Sequence, residues 1–385
     1  MRRVSMKYLE PGMVVARSVY DSSGRLLLAK GVALTENFIK RLSEMGIGSL
    51  YVEDGVFGGV GDGAEIVSQS TRMESLKLLR ETYRSVESER RINTLSVRNT
   101  VESLIDEVLG SYGTLLNFYE IRTYDDYTFN HSVDVCILSI LTGITLGYNR
   151  LQLRELATGA LLHDIGKVEI SKEILNKPGS LTPEEMEQIR QHPKRGFDIL
   201  RSHYDIPLLS AHVALQHHER ADGSGYPRRL SGEEIHEYAK IVMIADVFDA
   251  LSSDRPYRPA CPVAQALDFI RSEVGKSFDE ECASAFISNI SPYPVGAVVL
   301  LSSGEIAQVV KTTKVAPHRP VVKVYFDRER RLLASPYEVD LASEPSLSIV
   351  REFSEEELSA MKKGELRRLD DAGSRRAGAS EASGR

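Results

Sequence analysis

Residues 217–227, HHERADGSGYP, and the earlier residues 161–167, LLHDIGK, are the stretches that decide the fold and the chemistry of this sequence. The later stretch places two adjacent histidines just before a glycine-rich turn. Consecutive helical residues point about 100° apart, so His217 and His218 can converge on one point only from the flank of a helix or near its end. Gly223 and Gly225 indicate that the helix ends there. The stretch therefore predicts two ligand side chains followed by a sharp turn.

The composition is typical of a soluble globular protein. The chain has 385 residues, of which 42% are hydrophobic and 27% are charged, and this length predicts two or three domains. The net charge of −7 repels polyanions, so we predict no nucleic-acid polymer as a partner. A local basic pocket for a small phosphate ligand remains compatible with that charge.

Cysteine usage and apolar segments predict a cytoplasmic protein. The three cysteines lie far apart in the chain, which offers neither a disulfide framework nor a thiolate zinc site. The N-terminus lacks the apolar stretch of a signal peptide. The most apolar segment, residues 135–148, is shorter than the roughly 20 residues that span a bilayer. We predict that this segment is a buried core helix and that the protein does not contact a membrane.

The hydrophobic pattern divides the chain into five parts. Residues 1–60 alternate short strand-like runs with one helix, which predicts an α+β regulatory or scaffold module. Residues 64–119 form an amphipathic helical connector that could pack on the next domain or form a homodimer. Residues 120–291 are almost entirely helical, residues 292–345 predict a small β module, and residues 365–385 predict a disordered tail. The predicted fold is mainly α, with two small modules at its ends.

Histidines and aspartates recur in the helical part in motif-like contexts. Without cysteine, such a set suits divalent iron, manganese, zinc or cobalt. A single histidine is more often an ordinary core or surface residue, and a His-Asp pair arises easily by chance. The ordered set is what favours a metal site: His131, His163, Asp164, His192, His217, His218 and Asp246.

The two opening stretches in this order resemble the HD-GYP family, a branch of the HD phosphohydrolase superfamily whose members degrade cyclic di-GMP. The similarity spans residues 120–290 and continues through NHSVDV, HPKRGFDIL, MIADVFDALSSDRPYR and GKSFDEECASAFI. It implies a helical HD-domain bundle. Residues 1–53 are similar to a module often found before this domain, and YPVGAVVLLSSGEIAQVV is similar to a β segment that commonly follows it.

The resemblance also implies roles for individual residues. Asp164 is expected to bridge two divalent ions, iron or manganese first, with zinc, cobalt or nickel as alternatives. His131, His163 and Asp246 are expected to complete one shell, and His192, His217 and His218 the other. Catalysis is expected to depend on Asp164 and Lys167. The expected substrate-binding residues are Lys167, Asp249, Arg255, Arg258 and Tyr226.

The implied activity is hydrolysis of cyclic di-GMP to pGpG, GMP or both, by a hydroxide that bridges the two ions, in bacterial second-messenger signalling. One alternative is a catalytically silent protein that binds the nucleotide or acts as an adaptor. Another is a phosphodiesterase for a different cyclic dinucleotide. All seven ligand positions are filled, which favours catalysis. The loop at Gly225–Pro227 is also an expected contact for GGDEF-type or other signalling partners.

Three further expectations concern single positions and pH. Some family members support a third metal with a glutamate at the position of Tyr127, and tyrosine is not an anion at neutral pH. We therefore predict a binuclear centre, with Asp125 and Asp126 poorly placed as replacements. Ligand histidines must be neutral, so activity is expected to fall below about pH 6.5. Glu219 either orients an imidazole or lies at the surface.

Overall fold

The computed structural model describes residues 1–21, 25–53, 55–57, 66–111, 113, 115–116, 127–177, 179–253 and 260–362. Several sequence predictions fall outside these ranges. They concern Asp125, Asp126, Arg255, Arg258 and the tail at 365–385. The side chain of Tyr127 is not described either, so the argument against a third metal stays a prediction.

The N-terminal module is a small α+β unit. Its elements are β1 (Arg2–Ser5), β2 (Val14–Val15), β3 (Val19–Tyr20), β4 (Leu26–Leu28), α1 (Glu36–Glu44) and β5 (Ser49–Glu53). The strands form an antiparallel sheet in the order β1-β5-β2 and a separate β3–β4 pair. Helix α1 begins where the Thr35 hydroxyl accepts a hydrogen bond from the backbone N–H of Phe38. Alternating residues of β1 and β5, including Val4, Leu50 and Val52, are buried beneath this helix in one apolar cluster.

The central part is a helical bundle with one continuous apolar core. Its helices are α2 (Gln69–Glu89), α3 (Thr94–Gly110), α4 (Tyr127–Thr145), α5 (Arg150–Leu161), α6 (Lys172–Leu175), α7 (Pro183–Ile189), α8 (His192–Arg201), α9 (Leu208–Gln216), α10 (Glu237–Ser252), α11 (Val263–Glu273) and α12 (Glu280–Ile287). Residues 135–143 of the apolar run are buried within α4, so the predicted core helix is confirmed, and the turn that follows is half-buried to exposed. Across the described ranges, no helix combines the length and apolar character that a membrane span requires.

The connector helices α2 and α3 belong to this bundle. Leu79 of α2 and Leu104 of α3 are completely buried in the same cluster as Leu141 of α4. An ion pair between Arg72 and Asp134, with 2.5 Å between Nη1 and Oδ1, also joins α2 to α4. Of the two predicted arrangements, packing on the next domain is therefore observed, and the homodimer stays a prediction.

The C-terminal module is a five-stranded antiparallel sheet. It contains β6 (Val298–Leu301), β7 (Ile306–Lys311), β8 (Val321–Phe326), β9 (Leu332–Asp340) and β10 (Ile349–Glu352) in the order β10-β6-β7-β8-β9, followed by α13 (Glu355–Lys362). The sheet contacts the N-terminal module. The Phe57 ring lies 5.1 Å from that of Tyr325, and the backbone N–H of Ser5 donates to Glu355 Oε2 at 2.8 Å. The mainly helical fold with two small terminal modules is confirmed, whereas the predicted domain boundaries stay predictions.

Shortening Leu79 to alanine should destabilise the helical bundle, because the side chain is fully buried between α2 and the helices of the core. We expect Leu79→Ala to lower the free energy of unfolding by about 2–5 kcal/mol. The matched control is Leu95→Ala in the other connector helix, where the side chain is 66% exposed and the change should stay within about 0.5 kcal/mol. Urea denaturation followed by far-UV circular dichroism measures both. Equal, small losses would contradict the packing of α2 into the core.

Candidate metal centre

The predicted ligands converge because most of them lie at helix ends. His163 and Asp164 follow the end of α5, His192 is the first residue of α8, and His217 and His218 follow the end of α9. His131 and Asp246 come from the bodies of α4 and α10. Adjacent residues such as His217 and His218 can point inward together only because the helix stops there, as the glycines of the following turn predicted.

Two groups of possible ligand atoms share one carboxylate. In one group the donor atoms of Asp164, His192, His217 and His218 all lie within 4.8 Å of one another, and in the other those of His131, His163 and Asp164 do so. Asp246 lies beside both groups, with Oδ1 3.1 Å from His131 Nε2 and Oδ2 3.7 Å from His218 Nδ1. The structure thus brings all seven predicted ligands together around Asp164.

A close approach between the turn after Asp164 and helix α8 sets part of this geometry. A Cβ atom on Gly166 would lie 2.0 Å from the carbonyl oxygen of His192 and 2.5 Å from the N atom of Gly196. Only glycine allows the two backbones to come so near. The glycine of the HDIGK motif therefore places His192 against the carboxylate of Asp164, with 3.3 Å between Nε2 and Oδ1.

Three of the imidazoles are oriented in the same way. Each donates a hydrogen bond from Nδ1 to a backbone carbonyl three residues earlier, which leaves Nε2 available for a ligand. The pairs are His163 with Ala160 (2.7 Å), His192 with Ile189 (2.7 Å) and His217 with Ala214 (2.9 Å). The Nε2 atoms of all three lie 3.3–3.8 Å from a carboxylate oxygen of Asp164.

Unsatisfied buried atoms indicate that these residues fit a metal ion. His163 Nε2 and Asp164 Oδ1 are buried, and within the described ranges neither has a hydrogen-bond partner. A buried polar atom without a partner costs about 1–3 kcal/mol, and coordination to a cation satisfies such atoms. Imidazoles and carboxylates of this kind suit divalent transition metals, so the cluster is able to bind metal.

The carboxylate of Asp164 is held in its ionised form. Burial acts to raise the pKa of Asp164, but the Lys167 ammonium and the neighbouring imidazoles outweigh it and hold the pKa well below its usual range. Lys167 Nζ donates directly to Asp164 Oδ2. An ionised, buried carboxylate that belongs to both ligand groups suits coordination of divalent cations.

The buried imidazoles are held in their neutral form. Burial lowers the pKa of His163, lowers that of His217 well below its usual value, and brings the pKa of His218 to about 3. Neutral histidine is the form that binds metal. These three histidines therefore stay neutral, and able to bind metal, below pH 6.5. Their protonation should lower activity only at a pH below the predicted 6.5.

His131 is the exception. Its Nδ1 lies 2.6 Å from Asp249 Oδ2, and its Nε2 lies 3.1 Å from Asp246 Oδ1. Burial lowers the pKa of His131, but the hydrogen bonds to Asp246 and Asp249 outweigh burial and raise the pKa to about 9. Without metal, the ring is an imidazolium at neutral pH, and a metal ion at Nε2 must displace its proton.

Asp249, which was predicted as a substrate-binding residue, contacts the ligand His131. Its side chain is completely buried one turn after Asp246, where it accepts the hydrogen bond from His131 Nδ1. The described wall of the cleft does not include Asp249, so the expected substrate contact stays a prediction. Its geometry suits the orientation of His131, in the way that carboxylates orient metal-bound histidines. The sequence indicated that Asp249 lies near the site. It did not indicate that the side chain contacts His131 Nδ1.

A cleft of about 380 Å³ opens beside the ligands. Its walls include His131, Asp164, Lys167, His218, Arg220 and Asp246, together with apolar side chains such as Leu251 and Phe269. Lys167 was predicted here, but Arg220 was not. Burial lowers the pKa of Arg220, and its Nη1 atom is buried without a hydrogen-bond partner in the described part of the chain. The cleft therefore presents two cations beside a cluster of metal ligands.

The loop after His218 folds back onto its own start. The backbone N–H of Tyr226 donates to the carbonyl of His218 at 3.1 Å, and a Cβ atom on Gly225 would lie 2.4 Å from Glu219 Cα. Glu219 is completely buried and accepts hydrogen bonds from the backbone N–H groups of Arg228 (2.8 Å) and Leu230 (2.9 Å). Both expectations for Glu219 were wrong, because its carboxylate holds the loop rather than an imidazole or the solvent.

Comparison with known proteins agrees with this geometry. Residues 131–282 match the HD domain family, and residues 298–361 match the KOW domain associated with HD domains. Residues 131–282 are an HD domain. The HD domain implied by the two opening motifs is thereby confirmed for this segment, and the ligand cluster lies within the matched residues.

Curated relatives extend the similarity beyond the HD domain. Over 259 residues the chain is 36% identical to the cyclic di-GMP phosphodiesterase PA4108 of Pseudomonas aeruginosa, covering 67% of this chain and 62% of the relative. Over 187 residues it is 42% identical to a cyclic di-GMP phosphodiesterase of Thermotoga maritima, covering 48% and 50%. Over 168 residues it is 38% identical to the 3'3'-cGAMP-specific phosphodiesterase 3 of Vibrio cholerae, covering 44% and 36%. The chain spans less than two thirds of each relative.

The protonation state of the HD domain without metal is directly testable. After metal removal by a chelator, NMR of the imidazole nitrogens at about pH 7.5 should show His131 as an imidazolium, with His217 and His218 neutral. The Asp249→Asn variant should lower the pKa of His131, since one of the two carboxylates that raise it is lost. Asp198→Asn on the outside of α8 is the control and should leave the signal unchanged. A neutral His131 in the original protein would contradict this electrostatic description.

Proposed function

We propose that this chain is a phosphodiesterase that uses two divalent metal ions, iron or manganese, to hydrolyse cyclic di-GMP. The observation that carries the proposal is the pair of buried ligand groups that share Asp164 and open onto a cleft containing Lys167 and Arg220. Asp164 together with His131, His163 and Asp246 would hold one ion. Asp164 together with His192, His217 and His218 would hold the other.

Two divalent ions at such a site lower the pKa of a water molecule and neutralise charge on the phosphodiester. The protein itself supplies the shape and charge of the cleft. Lys167 lies against Asp164 with its side chain partly exposed, so its ammonium can contact a phosphate oxygen while it keeps the carboxylate ionised. Arg220 contributes a planar guanidinium, which pairs well with phosphate oxygens. The apolar wall at Leu251 and Phe269 suits the face of a nucleobase.

The relatives guide the choice of substrate. Two of the three described above are named for cyclic di-GMP, including the one with the longest matched segment of the three, and the third is named for 3'3'-cGAMP. We therefore propose cyclic di-GMP as the substrate and pGpG, GMP or both as products, with the hybrid dinucleotide as the alternative. A silent nucleotide-binding protein is the less favoured function, since every predicted ligand is present and buried or half-buried around Asp164.

The proposal predicts metal-dependent turnover that requires Asp164. Protein loaded with Mn²⁺, or with Fe²⁺ in the absence of oxygen, should hydrolyse cyclic di-GMP, and parallel reactions with 3'3'-cGAMP should be slower. Chromatography resolves the products, and elemental analysis should find two metal ions per chain. Asp164→Ala should reduce the rate by at least about 100-fold, because it removes the shared ligand.

Asp198→Ala, an exposed aspartate on α8, is the control and should retain the rate. Turnover that persists in Asp164→Ala would refute the proposed centre. Tight binding of cyclic di-GMP without turnover in metal-loaded protein would instead establish the silent binding function.

A further inference from the structure

His218 differs from the other imidazoles of the centre in how its ring is held. Three rings are fixed by hydrogen bonds to backbone carbonyls and His131 by Asp249. The His218 ring makes no hydrogen bond to any described residue, and its nearest carboxylate oxygen, Asp246 Oδ2, is 3.7 Å from Nδ1. Its side chain is also more exposed than those of His163, His192 and His217, at 20%. The orientation of the His218 ring therefore depends on a contact other than a hydrogen bond.

An aromatic stack provides that contact. The rings of His218 and Tyr226 lie 4.7 Å apart between centroids with an interplanar angle of 27°, which is a stacked arrangement. The backbone of Tyr226 is tied to the same histidine through the hydrogen bond to the His218 carbonyl. Tyr226 therefore contacts His218 through both its ring and its backbone N–H.

A cation extends the stack. The guanidinium of Arg190 lies over the Tyr226 ring, with Cζ 5.5 Å from the centroid. Arg190 caps the end of α7, two residues before the ligand His192, so its backbone is fixed by the same turn that places that ligand. A cation over the ring is attracted to its electron-rich face and restricts the positions that the Tyr226 ring can adopt.

Among the described residues, Tyr226 lines a different cavity from the cleft beside Lys167, and its expected substrate contact stays a prediction. It lines a separate cavity of about 300 Å³ together with Arg190, Ser224 and Arg229, whereas the cleft beside Lys167 is walled by His218 itself. The predicted substrate-binding role of Tyr226 and a role in orienting His218 predict different measurable effects. A substrate contact would affect affinity for the nucleotide, and an orienting contact would affect affinity for the metal.

We propose that Tyr226 and Arg190 are positioning residues, which hold the His218 ring in the orientation that binds metal. The proposal deepens the proposed function and rests on the same metal centre. Tyr226 of the loop at Gly225–Pro227 would then support a metal ligand, in addition to any contact with partner proteins. Gly225 and Glu219 support that role because they allow and fix the return of the loop to His218.

The test measures binding of Co²⁺ by competition with a chromophoric chelator, together with the visible absorption of the Co²⁺-loaded protein. Tyr226→Leu removes the ring and should weaken the binding of one Co²⁺ ion about tenfold or more, as loss of an outer partner of a ligand does. It should also change the spectrum. Tyr226→Phe keeps the ring and should restore both affinity and spectrum. Arg190→Met should weaken binding about 2–5-fold, the effect of an exposed cation–aromatic contact.

Arg201→Met is the matched control, because Arg201 lies over the Phe197 ring at nearly the same distance, 5.4 Å, but on the outside of α8. It should leave Co²⁺ binding unchanged. Unaltered affinity and spectrum in Tyr226→Leu, with only the Michaelis constant for the nucleotide raised, would overturn the proposal in favour of substrate contact. An unmodified protein that binds no Co²⁺ would refute the metal centre itself, which is a distinct result.

Discussion

The buried carboxylate of Asp164 is the constraint on which the rest of the centre depends. Burying an unpaired charge is costly, and one oxygen of Asp164 has no hydrogen-bond partner among the described residues. The surrounding groups reduce that cost without removing it. Lys167 pairs with the other oxygen, and the imidazoles of His163, His192 and His217 direct their Nε2 atoms at the carboxylate. A cation between these atoms would satisfy the oxygen that has no hydrogen-bond partner.

Helix ends satisfy two requirements of this centre at once. The last carbonyls of a helix have no partner within the helix, and here three of them accept hydrogen bonds from imidazoles. Ala160 lies in the last turn of α5, Ala214 in the last turn of α9, and Ile189 at the end of α7. The same bonds satisfy the carbonyls and fix the rings. His131 and His218 are each contacted by a side chain, Asp249 and Tyr226 respectively.

The set of residues that converges around Asp164 could be predicted because each member lies in a local sequence motif. The mainly helical fold followed from the apolar periodicity for the same reason. The roles of Glu219, Asp249 and Arg220 could not be predicted in this way, since each depends on which side of a folded loop or helix the side chain faces. In the sequence Glu219 follows two histidines, which suggests that it orients an imidazole. Its hydrogen-bond partners are instead the backbone N–H groups of residues 9 and 11 positions later. The contact between Phe57 and Tyr325 joins segments too distant for any local pattern to predict.

The most direct test of the shared carboxylate is anomalous X-ray diffraction from crystals of the Mn²⁺-loaded protein. Two manganese peaks about 3.5–4 Å apart, both within bonding distance of Asp164, are the predicted result. The peak on one side should also contact His131 and His163, and the peak on the other should contact His192, His217 and His218. A single peak, or two peaks of which only one contacts Asp164, would contradict a centre built on that residue.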